Sequence, residues 1–167
     1  MRLEFEQLYR RMCEPTTFAE LQEIYQQLRM LGDSNEDLLE AMSRERTHER
    51  WGCLLKLIWA IPEPTPIIFS SMLSQLLDNH RHIEIMEAIA DKMYSLKDPD
   101  TVGSLVGVLD YSLSGDDDCH FNRKIIYALA NIGSPEAISA IRNSLNSPEE
   151  TIRRTARKEL DKLSSSN

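Results

Sequence analysis

Apolar residues recur along this chain in steps of three and four, the period of one helical face. The pattern is sharpest at Phe121, Ile125, Ala128, Leu129 and Ile132. Gly133 follows as a helix stop, because glycine takes a positive φ without a Cβ clash. Ser134-Pro135 restarts the chain with an N-cap serine and a proline at N1, where no amide donor is needed. Ala137, Ile138, Ile141 and Leu145 form the next stripe, Ser147-Pro148 repeats the start signal, and Ile152, Ala156, Leu160 and Leu163 form the last. Upstream stripes are Leu21, Ile24, Leu28 and Leu31, then Ile85, Ile89, Met93 and Leu96, then Val102, Leu105, Val106 and Leu109. No segment alternates with period two for long, so no sheet is expected. The pattern predicts ten helices, at about 2–13, 17–31, 35–46, 48–61, 65–79, 81–97, 99–113, 120–132, 135–146 and 149–163.

Phe121 to Ile152 is 31 residues, and so is Leu129 to Leu160. A fixed period of this size marks a stacked helical repeat. The turn Ala128-Leu129-Ala130-Asn131-Ile132-Gly133-Ser134-Pro135-Glu136-Ala137, and the helix start Ile152-Arg153-Arg154-Thr155-Ala156, resemble the HEAT-like repeat of the phycobilisome-lyase type. The resemblance covers about forty residues, Phe121–Leu160. The turn Ile132-Gly133-Ser134-Pro135 has counterparts at Leu96-Lys97-Asp98-Pro99, Ile61-Pro62-Glu63-Pro64 and Leu31-Gly32-Asp33-Ser34. The implied fold is all-α, a right-handed α-solenoid of about five HEAT-like helix pairs. It is expected as a single repeat domain over residues 1–163, with residues 164–167 a frayed tail. Proteins similar to this family are mostly protein-binding scaffolds that dock partners on the concave face. Some attach or detach bilins, others are alkylpurine DNA glycosylases, and small bacterial members act as adaptors or as immunity proteins against a toxin.

Charge narrows these options. With 27 acidic and 19 basic side chains the net charge is −8, which disfavours nonspecific binding to nucleic acid or anionic membrane. Residues 1–118 carry net −11 and residues 119–167 net +3. The acidic body suits a basic protein partner through long-range steering; the solvated face of ordinary helices accounts for the same charges. Cys13, Cys53 and Cys119 are an odd number with no close pairing, which reads as reduced thiols in a cytoplasmic protein. The N-terminal stretch is too charged for a signal peptide. The most apolar run, Cys53–Ile61, is interrupted by Lys56 and is far shorter than a membrane span.

No nucleophile elbow, phosphate-binding glycine loop or HExxH motif is present, so no enzyme chemistry and no cofactor are implied. His48, His80, His82 and His120 precede or open helices, with Cys119 and Asp116–Asp118 beside the last. This edge reads either as a metal or pH-sensing edge or as the polar residues that helix starts ordinarily carry. Alignment on the repeat places Trp51, Leu55, Trp59, Met86, Tyr94, Asn122 and Ile126 on a candidate concave, partner-binding face. Aromatic and Met-rich patches are common at protein-binding centres, although large aromatics also fill cores. The acidic loop Asp116, Asp117 and Asp118 is a second candidate contact. The expected function is a non-catalytic protein-binding module, most concretely a small acidic immunity or inhibitor protein that neutralises a cognate toxin-like protein. A generic adaptor, a bilin-lyase-type enzyme or chaperone, and a glycosylase-like DNA-binding protein are the other readings.

Overall fold

The computed structural model describes residues 1–45, 50–79, 82–109 and 119–165, and every regular element among them is helical. Ten α-helices follow in order: α1 Leu3–Cys13, α2 Phe18–Met30, α3 Asn35–Glu45, α4 Trp51–Ala60, α5 Ser70–Asn79, α6 Ile83–Leu96, α7 Val102–Val108, α8 His120–Ile132, α9 Pro135–Asn143 and α10 Glu150–Ser165. The chain divides into two compact units, Met1–Pro62 and Glu63–Asn167.

In Met1–Pro62, α1 packs on α2 and α4, and α3 packs on α4. Phe5, Met12, Ile24, Leu38, Met42, Leu54, Leu57 and Ile58 fill its core. Burying each such side chain contributes about 1.5–3 kcal/mol. Thr17 opens α2 with a capping box: its hydroxyl accepts from the Glu20 amide while Glu20 accepts from the Thr17 amide at 2.8 Å. Arg2 ties helix ends together. Its guanidinium donates to the Leu31 and Asp33 carbonyls beyond α2, at 3.1 and 2.9 Å, and to Asp37 in α3 at 2.6 Å. Burial raises the Asp37 carboxyl pKa, but the Arg2 hydrogen bonds and charge outweigh it and hold the group below its ordinary value.

In Glu63–Asn167 the helices alternate between two rows. α5 packs on α7 and α7 on α9; α6 packs on α8 and α8 on α10; each odd helix also packs on its even successor. α8 touches α6, α7, α9 and α10, which explains its wide buried face of Phe121, Asn122, Ile125, Ile126, Ala128 and Leu129. Polar bonds lace the even row. Lys124 in α8 reaches Asp91 and Glu87 in α6 at 2.8 and 3.3 Å, and Asn131 donates to the Tyr94 carbonyl at 2.6 Å.

The turns repeat in detail. Gly133 closes α8 at φ 68° and its amide donates to the Leu129 carbonyl; the Ser134 hydroxyl then accepts from the Ala137 amide. Lys97 closes α6 at φ 55°, and Asp98 accepts from the Asp100 amide. Gly32, just past α2, has φ 75°. The fourth counterpart, Ile61-Pro62, cannot copy this geometry because the proline ring fixes φ near −65°. Two elements begin later than expected: α7, Val102–Val108, follows a 3-10 turn at Pro99–Thr101, and α5 follows another at Ile67–Phe69; residues 110–113 of the expected seventh helix lie outside the described residues. Two glycines within α7, Gly103 and Gly107, weaken that helix.

Candidate functional site

α4 carries the features that stand out. Its sequence, WGCLLKLIWA, buries Cys53, Leu54, Leu55, Leu57 and Ile58 against α1 and α3. Trp51 and Trp59 are eight residues apart and stay exposed, at 38% and 51%. On a helix of 3.6 residues per turn they share one side. Two large apolar rings left partly exposed on a helix with five buried side chains are the kind of feature that marks a contact surface.

α4 is also tied to α1. Lys56, half-buried, donates to the Met12 carbonyl at 2.8 Å, the Glu14 carbonyl at 3.1 Å and the Thr16 hydroxyl at 2.9 Å. It thus serves as the cation at the C-terminus of α1. Burial pulls its pKa below the ordinary lysine value. Tyr25 of α2 donates its hydroxyl to the Lys56 carbonyl at 2.9 Å, and burial raises that phenol's pKa well above its ordinary value.

Cys13 and Cys53 form a disulfide with Cα atoms 4.9 Å apart, joining the last residue of α1 to the first turn of α4. The expectation of three reduced thiols is corrected here. A 40-residue separation hides the pairing from any reading of sequence spacing, and the packing of α1 on α4 creates it. Glu45, the last residue of α3, lies beside the sulfurs. Cys13, Glu45 and Cys53 each place a ligand-type atom within 4.8 Å of the others. Glu45 is 2% exposed; its Oε1 accepts from the Tyr9 hydroxyl and pairs with Arg50 at 2.8 Å. Its Oε2 is buried and has no hydrogen-bond partner. Burial, then the hydrogen bond to Glu45, pushes the Tyr9 phenol up to about 12.

The seven residues of the expected docking row part company. Trp51, Trp59 and, in α6, Tyr94 at 49% are exposed. Leu55, Met86 and Ile126 are core, at 8%, 0% and 0%, and present no surface to a partner. Asn122 is buried and donates to the Leu109 carbonyl at 2.5 Å, a structural bond within the packed helices. Arg153, of the helix start Ile152-Arg153-Arg154-Thr155-Ala156, folds back over the start of α10 to bond the Ser147 and Pro148 carbonyls. Asp116, Asp117 and Asp118, like His48 and His80, lie outside the described residues. Among the described residues the group that could surround one metal ion is Cys13, Glu45 and Cys53, and it includes no histidine. The exposed side of α10 gathers Arg154, Arg157, Lys158 and Lys162. All come from one helix, so no walls enclose a ligand there.

No protein-family model matches the chain, and no curated protein matches it. No helix among the described residues is long and apolar enough to cross a membrane.

Proposed function

We propose that this protein is a non-catalytic helical-repeat module that binds another protein through exposed aromatic side chains, those of Trp51 and Trp59 above all. The carrying observation is the contrast along α4. Five of its apolar side chains are buried, while the two indoles, large apolar groups with much to gain from burial, stay partly exposed at 38% and 51%. Tryptophan is among the residues most often found to dominate binding energy, since one ring buries a large area at little entropic cost. Tyr94 offers a second contact, on the Glu63–Asn167 unit.

Within that unit, the alternating rows of α5 to α10 and their repeated αL turns support a short right-handed α-solenoid of HEAT-like pairs. The acidic net charge of −8 favours a basic partner. The most concrete form of the reading is an immunity or inhibitor protein that covers a cognate toxin-like protein, with a generic adaptor the alternative.

The test is calorimetric titration of the purified chain with a basic protein encoded beside it. Nanomolar binding is expected, weakened tenfold or more by Trp59→Ala and by Tyr94→Ala in variants whose helical circular dichroism is unchanged. Binding that both folded variants retain in full removes the aromatic surface. Absence of any neighbour-encoded partner removes the immunity reading and leaves the adaptor.

A further inference from the structure

We propose that, when the Cys13–Cys53 bond is reduced, the two thiolates and the Glu45 carboxylate hold a zinc ion where the ends of α1 and α3 meet the start of α4. Forming the disulfide then empties the site. The proposal does not depend on the docking reading above.

Four observations converge on it. The first is distance. The three ligand atoms lie within 4.8 Å of one another. Tetrahedral zinc, with Zn–S near 2.3 Å and Zn–O near 2.0–2.2 Å, sets its ligands roughly 3.5–3.8 Å apart. Once the bond is broken, side-chain rotations let the two sulfurs separate to that spacing and the carboxylate draw in.

The second is the unused oxygen. Tyr9 and Arg50 both engage Glu45 Oε1, and Oε2 is buried with no hydrogen-bond partner. A buried polar atom left in this way is costly, and an ion between Oε2 and the sulfurs removes the cost. Tyr9 and Arg50 meanwhile fix the carboxylate's orientation from behind, as partners of metal ligands do.

The third is charge. Reduced and ionised, the site holds two thiolates and one carboxylate, with Arg50 paired to the carboxylate at 2.8 Å. A divalent cation offsets the negative charge that the pair leaves, which favours a buried cluster. Cys53 also lies in the first turn of α4, where the helix amides favour a thiolate.

The fourth is ligand type. Two sulfurs and one carboxylate suit zinc and other borderline-soft ions rather than magnesium or calcium. Cys13 is only half-buried, so a water molecule can complete the tetrahedron from that side.

The redox step balances with a low-molecular-weight disulfide as oxidant. Its S–S bond breaks and takes up two electrons, it leaves as two thiolates, and the Cys13–Cys53 bond forms as the metal passes to solvent. A thiol reductant runs the step backwards.

The experiment uses the whole chain, reduced without oxygen, freed of reductant and titrated with Co²⁺ as a spectroscopic probe. A thiolate-to-cobalt band in the near ultraviolet and tetrahedral visible bands should saturate at one ion per chain. Zn²⁺ should displace the cobalt, and the oxidised protein should give neither band. Cys53→Ser should lose the near-ultraviolet band. Glu45→Gln should keep part of it with affinity lowered roughly tenfold or more, since even an outer-shell partner is worth about that much. Cys119→Ser should bind as wild type does and controls for the third thiol. If Cys53→Ser does not fold, the contrast between reduced and oxidised wild type, with Glu45→Gln, still decides. The proposal is overturned by the absence of a thiolate–cobalt band in the reduced wild type. It is equally overturned by undiminished affinity in Glu45→Gln, or by a band that requires Cys119.

Discussion

Replacing Lys56 by methionine keeps most of the aliphatic stem and removes the ammonium. Three acceptors lose their donor: the Met12 carbonyl in the last turn of α1, the Glu14 carbonyl just beyond it and the Thr16 hydroxyl. A hydrogen bond to a charged group contributes about 1.5–3 kcal/mol when shielded and less where water competes. The Met12 bond is partly buried and the Glu14 bond is exposed. Two partly buried bonds and one exposed bond, plus about 0.3–1 kcal/mol for a cation at a helix C-terminus, less the cost of desolvating the ammonium, give a net loss of about 2 kcal/mol. With a urea slope of about 2 kcal/mol per molar, the unfolding midpoint should fall by about 1 M.

The assay is urea unfolding followed by circular dichroism at 222 nm, on the disulfide-bonded protein. Thr16→Val removes one acceptor only and should cost roughly 0.5–1 kcal/mol. Amide exchange should quicken first at the C-terminal end of α1, the place where the cap is lost. A Lys56→Met variant within 0.5 kcal/mol of wild type at unchanged slope refutes the reasoning. Lys56 would then be a solvated charge that happens to point at α1.

Three further outcomes follow from the same contacts. Asp37 titrates below its ordinary value because of Arg2, so its contribution is complete above about pH 4 and is lost as pH falls through the lower folded-state value; Asp37→Asn should be less stable at neutral pH and should flatten the acid limb of a stability-against-pH curve. Gly133→Ala should destabilise by about 1 kcal/mol, and Lys97→Gly should stabilise by about 0.5–1 kcal/mol, because both positions have positive φ; thermal unfolding reads the opposite signs. Asn122→Leu takes the Asn122 side-chain donor from the Leu109 carbonyl and should cost about 1–3 kcal/mol in urea unfolding, with no change in binding to a partner.

Local chemistry was legible in the sequence where the controlling residues are neighbours. The Gly133-Ser134-Pro135 turn behaves as its composition predicts, and Asp98 caps the 3-10 turn after α6 much as Ser134 caps α9. Which side of each helix faces solvent was less legible. Alignment on the repeat puts Met86 and Ile126 on an open face, but neighbouring helices bury both in the Glu63–Asn167 unit. Lys56 read as a flaw in an apolar run because its acceptors are 40 to 44 residues away. The Cys13–Cys53 bond was hidden for the same reason. Periodicity reports a helix's buried side and says nothing about which distant helix end will meet it.

These far contacts converge on α4. Its Cys53 and Lys56 both hold the end of α1, its Leu54, Leu57 and Ile58 are core, and its Trp51 and Trp59 are partly exposed. Docking and metal binding are therefore assigned to different sides of one short helix, and point changes can separate them. Trp59→Ala should weaken a partner while leaving the cobalt spectrum of the reduced chain unchanged. Glu45→Gln should weaken cobalt while leaving partner affinity of the oxidised chain unchanged. Trp51, two residues from Cys53, is the exception, since its indole sits on the first turn that also carries a ligand. Its fluorescence should change on reduction and zinc loading even without a partner. If the indole emission is the same in all three states, the two sides of α4 act independently, and neither site regulates the other.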